Sequence, residues 1–228
     1  AITEIDIDDS EIDRIITRTN KLITVDKKSI NKAIDLINAS KKPIMVAGVG
    51  SVASKISNEL LLFMHKINSP ACVTLQAVGN IPCNDTLYLG MYGWFGTPID
   101  EMLKEADLII TVGLDGWDII RPYKSEVPII SIDDADVNDR TFQPVSVGLK
   151  GNMAETLRSL QNLLEERETD SDWLEKAKDC FEKIHNFELG ISSEYKESSG
   201  IAPQAVYKEI RKVVPEETII AADAGAHK

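Results

Sequence analysis

Apolar residues recur along this chain at two alternating spacings, which together lay out helices and strands in turn. Ile30, Ala33, Ile34 and Ile37 fall at i, i+3, i+4 and i+7, the spacing of one helix face. Pro43 then opens the compact run Ile44-Met45-Val46-Ala47, which ends at Gly48-Val49-Gly50. The pattern predicts a long helix next, with Ile56, Leu60, Phe63 and Ile67 toward a core. Pro70 punctuates, and residues 71–75 read as the following strand. Thr97-Pro98 is an N-cap followed by proline at the first helical position, and its helix runs to Ala106. Residues 107–113 form a buried strand, and 128–133 and 145–147 supply two more. Asn152 with Glu155 three residues on makes a capping arrangement for a helix whose core stripe is Met153, Leu157, Leu160 and Leu164.

Continuous apolar strands alternating with helices predict an α/β fold. The expected form is a doubly wound, mostly parallel Rossmann-like sheet of about six strands, with helices on both faces. The sixth strand is placed near residues 88–91, in a stretch dense in glycines and aromatics. Residues 165–172 are nearly all charged or polar and read as a boundary. Beyond them Trp173, Ala177, Cys180, Ile184 and Phe187 keep a helical stripe. After the polar stretch 192–200 comes a helix from Pro203, with Val206, Ile210 and Val213 on one face, and then a strand at 218–222. That last strand looks like the start of a second α/β unit. The expected division is a linker at 1–28, a central domain at 29–167, a helical linker at 168–200, and the opening of a further domain at 201–228.

Composition narrows the function classes. With 37 acidic against 25 basic residues the net charge is −12, which argues against nucleic-acid binding, since phosphate neutralisation needs clustered Lys and Arg. The three cysteines are widely spaced, with no metal-ligand pairing, and an odd number of thiols suits a reducing cytoplasm. The densest apolar run, Leu60-Leu61-Leu62-Phe63-Met64, is far shorter than the ~20 residues of a membrane span.

The candidate chemistry lies at turns. Gly48-Val49-Gly50, with Ala53 in the third place of the G-x-G-x-x-G/A pattern, stands between a strand and a helix. There, glycine lets a phosphate approach the backbone. Gly48, Gly50, Thr74, Gly113 and Asp133 all lie at strand ends, where doubly wound sheets bind nucleotides, and form a candidate nucleotide or FAD site. A carboxylate such as Asp133 could hold a ribose hydroxyl, although the run Asp133-Asp134-Ala135-Asp136 also reads as a solvated turn. Trp94 and Trp117 could stack on a flat ring or plug their loops. His65 and His185 read as structural. No triad, nucleophile elbow or acid–base carboxylate pair is present, and no catalytic or metal-ligating residue is assigned.

Taken together, residues from about 30 to 164 resemble the central domain of thiamine diphosphate-dependent enzymes of the acetolactate synthase and pyruvate oxidase type. Lys42 through Gly50 is similar to that family's first strand and glycine turn. Ser69-Pro70-Ala71-Cys72-Val73-Thr74-Leu75 is similar to the segment leading into its T-x-x-x-K-G loop. Asn80-Ile81-Pro82, Leu89-Gly90-Met91-Tyr92-Gly93, residues 106–113 and Ile130-Ser131-Ile132-Asp133 continue the match in the family's order. Residues 203–228 resemble the opening of the diphosphate-binding domain, whose D-x-G-x-H turn is here Asp223-Ala224-Gly225-Ala226-His227. The resemblance implies that Gly225, Ala226 and His227 lie by the cofactor's diphosphate.

For a longer parent protein the resemblance also implies thiamine diphosphate and Mg²⁺, a 2-keto acid substrate such as pyruvate, and a homo-oligomer. The expected parent reaction is decarboxylation followed by carboligation or oxidation. Two departures bear on FAD. The lysine before the second-loop glycine is Val78 here, and the arginine after the fourth-strand glycine is Leu114, so weak or no flavin binding is expected. The glutamate-bearing first domain and the G-D-G…N metal segment lie outside this sequence. The chain alone is therefore expected to be inactive, with a structural or nucleotide-binding central domain. The competing expectation is a free-standing nucleotide-binding or subunit-interface module without catalysis.

Overall fold

A computed structural model describes residues 24–93, 97–116, 118, 123–134, 142–165, 167–189, 203–215 and 217–220. The first helix, α1 (Lys27–Ala39), starts where Asp26 accepts a hydrogen bond from the Ser29 amide at 2.9 Å. It buries Ile30, Ala33 and Ile37, the predicted stripe. The strands of the main sheet are β1 (Pro43–Ala47), β2 (Ala71–Thr74), β3 (Tyr88–Tyr92), β4 (Leu108–Val112), β6 (Ile129–Asp133) and β8 (Val147–Lys150). Two short strands, β5 (Tyr123–Lys124) and β7 (Phe142–Gln143), pair separately. In the main sheet the order is β3-β2-β1-β4-β6-β8 and every pairing is parallel. Two right-and-left series therefore start from β1 and β4, which makes this the doubly wound α/β sheet that the apolar runs predict.

Side chains of one strand serve both faces. Met45 and Ala47 join one core with Ile110, Val112, Leu60, Phe63 and Leu157, whereas Ile44 and Val46 join the other with Ile109, Met102, Leu103 and Trp173. The first core is covered by α1, α3 (Ser57–Lys66) and α5 (Met153–Leu163), and the second by α4 (Pro98–Glu105) and α6 (Ser171–Leu189). Trp173 is 1% exposed and its indole Nε1–H donates to the Pro43 carbonyl at 2.9 Å, tying α6 to the foot of β1. The last helix, α7 (Pro203–Val213), touches α6.

Three expectations change. The long helix after Gly50 is two helices, α2 (Val49–Ala53) and α3, parted at Ser54-Lys55-Ile56. Lys55 takes φ 54, its amide bonds the Val52 carbonyl and the Ile56 amide reaches back to Ser51. This is a Schellman cap with lysine in the left-handed position that glycine usually fills, and Ile56 turns inward, 2% exposed. The strand read at 145–147 sits at Val147–Lys150 instead. At this sheet edge Val147 and Leu149 are buried while Gly148 is exposed, so period two governs rather than the continuous apolar run. Finally, Thr218, Ile219 and Ile220 form no strand, and Ile219 is 94% exposed. No described strand lies beside them to complete a ladder. Residues 221 and 222 lie outside the described residues.

The strand near 88–91 is β3, at the sheet edge. Its register against β2 slips between Ala71↔Tyr88 and Cys72↔Gly90, a bulge that Gly90 accommodates at φ +118. No described helix is long and apolar enough to cross a membrane.

The thiols follow from this packing. Cys72 and Cys180 are buried and Cys83 is exposed. Burial pushes Cys180 up to about 11, and burial with the neighbouring Cys180 pushes Cys72 higher still. An unfolded thiol ionises near its ordinary ~8.5. Above that pH the unfolded chain sheds protons that the native chain keeps, so stability held below about 8.5 declines as pH rises toward 11. A thiol-specific colorimetric reagent should label Cys83 at once in the folded protein, and Cys72 and Cys180 only with unfolding. The urea midpoint should fall across that same alkaline window. Rapid labelling of all three thiols would contradict this core.

Candidate functional site

Where β1 and β4 end, their turns meet backbone to backbone. Each glycine here is fixed by close approach. A Cβ on Gly48 would stand 2.5 Å from the Gly113 carbonyl and 2.5 Å from Asp118 Oδ2. One on Gly50 would lie 2.9 Å from the Gly113 carbonyl, and one on Gly113 would lie 2.4 Å from the Ser51 nitrogen. Gly113 also holds φ +59, the left-handed region.

The turn's amides can be followed one by one. Gly48 donates to the Val112 carbonyl at 2.9 Å, Gly50 to the Gly113 carbonyl at 2.8 Å and Ser51 to the Gly48 carbonyl at 3.0 Å. Val49 donates to the Asp118 carboxylate, 3.1 Å from Oδ2 and 3.3 Å from Oδ1. That carboxylate is 7% exposed and also receives the Thr74 hydroxyl at 2.8 Å and the Asp115 amide at 2.7 Å. Asp118 thus joins the ends of β1, β2 and β4 through one group. Beside it the Ser51 hydroxyl donates to the Gly48 carbonyl at 2.5 Å and accepts from Asn80 Nδ2 at 2.7 Å, while Asn80 Oδ1 takes the Ser57 hydroxyl. The Asn80-Ile81-Pro82 segment therefore braces the same turn from behind.

The structure brings together Gly48, Gly50, Thr74 and Gly113. Asp133 closes β6, the next strand outward from β4, paired in register with Lys150. Val78 is exposed, and Leu114 packs at the margin of the second core. His65 bonds Asp85 through Nε2 at 2.8 Å on the helical layer, and His185 lies in α6. Trp94, Trp117 and the turn with Gly225, Ala226 and His227 lie outside the described residues. Among the described residues no group of three His, Cys, Asp or Glu side chains could hold a metal ion. Sequence reasoning missed Asp118. Its signal was a carboxylate five positions after the glycine that follows the fourth strand, in a segment read only for Leu114 and Trp117.

Comparison with known proteins adds the family. Residues 30–160 match the family described as "Thiamine pyrophosphate enzyme, central domain". The chain is similar to the acetolactate synthase large subunit of Haemophilus influenzae, 26% identical over 92% of this chain and 37% of that protein. It is also similar to those of Buchnera aphidicola subsp. Schlechtendalia chinensis, 28% identical over 88% of this chain and 36% of the relative, and of Corynebacterium glutamicum, 26% identical over 88% and 33%. The chain thus spans about a third of each relative's length.

The turn contacts predict a graded response to alanine. Gly48→Ala and Gly113→Ala should each cost about 3 kcal/mol in urea unfolding, because backbone atoms stand where the methyl must go. Gly79→Ala meets open space and should cost only about 1 kcal/mol, for its φ of +91 alone. Equal costs at all three positions would show that the contact between turns does not decide them.

Proposed function

This chain belongs to the thiamine pyrophosphate enzymes, and from that premise we propose that it is the scaffold portion of a thiamine diphosphate-dependent enzyme acting on a 2-keto acid. The observation that carries the reading is the match of residues 30–160 to the family's central domain on a sheet of order β3-β2-β1-β4-β6-β8. Similarity to acetolactate synthase large subunits extends over 92% of the chain in the Haemophilus case, beyond the central domain, and favours pyruvate-type substrates with decarboxylation and carboligation.

The proposal divides the labour. When bound, thiamine diphosphate supplies a carbon nucleophile and an electron sink for the keto acid's carbonyl carbon. This chain's contribution to its binding is the segment Asp223-Ala224-Gly225-Ala226-His227, through Gly225, Ala226 and His227. Backbone amides beside a glycine suit diphosphate oxygens, and the His227 imidazole can donate to one. Mg²⁺ would be held by the family's G-D-G…N segment, a motif not found in these 228 residues. The central domain positions these elements in a homo-oligomer and performs no chemistry itself.

Two measurements test this. The 228-residue chain should release no CO₂ from pyruvate with thiamine diphosphate and Mg²⁺, whereas a polypeptide of its relatives' full length should do so in a cofactor-dependent way. In that longer protein His227→Ala should weaken thiamine diphosphate binding by about 1–3 kcal/mol, the cost of a lost hydrogen bond to a charged group, with the melting curve unchanged. Activity from the short chain alone, or none from the long one, would overturn the reading. An unchanged cofactor affinity would remove His227 from it.

A further inference from the structure

We infer that Asp118 is the built-in ligand of the switch-point crevice, its carboxylate lying where a doubly wound domain would seat a dinucleotide's diphosphate, and that this crevice admits neither FAD nor any other adenine dinucleotide. In an open doubly wound domain the diphosphate enters between the turns after the two strands where the winding reverses, here β1 and β4, and takes free turn amides. The residues present do not fit such a group. All four amides from Gly48 to Ser51 already have acceptors within the protein: the Val112, Gly113 and Gly48 carbonyls and the Asp118 carboxylate. The two turns that would have to part are joined by the 2.8 Å bond from the Gly50 amide to the Gly113 carbonyl.

Electrostatics point the same way. A diphosphate entering here would lose the Val49 amide and the Thr74 hydroxyl to Asp118 and would face a buried carboxylate of its own sign. Displacing Asp118 would leave that carboxylate buried without its three donors. Thr74 and the glycines thus serve the crevice by closing it. This inference concerns the crevice alone and stands whether or not the chain serves thiamine chemistry.

The test uses the 228-residue chain. Amide exchange read by NMR should show Val49 and Asp115 protected by about 100-fold or more, as expected for amides held in structure, and unchanged by millimolar FAD or ADP. Flavin fluorescence should not be quenched on titration, and ADP should not raise the melting temperature. Asp118→Asn keeps the shape but turns an acceptor oxygen into a donor facing amides, and should lower the melting temperature by roughly 5 °C or more. Should that variant fail to fold, the exchange and titration readings on the native chain carry the test. Fast exchange at Val49 or Asp115, saturable binding of FAD or ADP, or an Asp118→Asn melt equal to the native one would each overturn the inference. None of these results bears on CO₂ release, so this inference and the thiamine reading fail separately.

Discussion

Two carboxylates hold the central strand pair of this protein at its two ends, and most of the architecture is arranged around that clamp. At the foot of β4, Asp107 Oδ1 accepts the Ser40 hydroxyl at 2.5 Å and the Lys42 amide at 2.9 Å, while Oδ2 accepts the Lys41 amide at 2.7 Å. At the top, Asp118 gathers Val49, Thr74 and Asp115. Between them β1 and β4 run in parallel register from Pro43↔Leu108 to Ala47↔Val112. Both carboxylates meet mainly backbone amides, groups that cannot be left unpaired once water is excluded. The clamp satisfies donors that the ladder cannot reach, because they lie just before its first bond and just after its last.

With that pair fixed, the two layers follow from period two. Ile44 and Val46 face α4 and α6, and Met45 and Ala47 face α1, α3 and α5, so each strand residue has a layer to be buried against. Helix α6 is joined to this arrangement by its tryptophan. Trp173 inserts into the second core and returns a hydrogen bond to Pro43, whose carbonyl precedes the first residue of the β1 interior. Arg167 adds to the same end, donating to the Ser40 carbonyl beside Asp107, and its burial lowers its pKa from the usual guanidinium range.

The sequence was legible where burial is continuous and opaque where one residue breaks a habit. Five strands and the stripes of α1 and α5 could be read because their apolar periods match their elements, and α4 could be placed from its Thr97-Pro98 start. The split between α2 and α3 could not, because the left-handed cap is Lys55, a residue whose side chain gives no hint of positive φ. The comparable cap after α3 uses Asn68 at φ 47, a residue type that does advertise it. Edge strand β8 slipped by two residues because Val145 continues the apolar run without belonging to the ladder. At the crevice the glycines were recognised, but a glycine needed for contact with backbone and one needed for contact with phosphate look the same in sequence. Only the neighbour separates them, and the neighbour, Asp118, lies 69 positions from the Val49 amide it accepts.

That neighbour has to be a carboxylate for reasons of valence. Three donors converge on it from three different elements, and the Val49 amide is shared between both of its oxygens. A serine hydroxyl has one oxygen and must place its own proton, and an asparagine would aim two donors at a site that supplies only donors. A free anion could meet the same demand, but its binding would have to offset the entropy of capture each time, whereas Asp118 is ordered by folding itself. The crevice in this chain is consequently a finished joint. Turns tied to one another in this way keep their relative position without a ligand to set it.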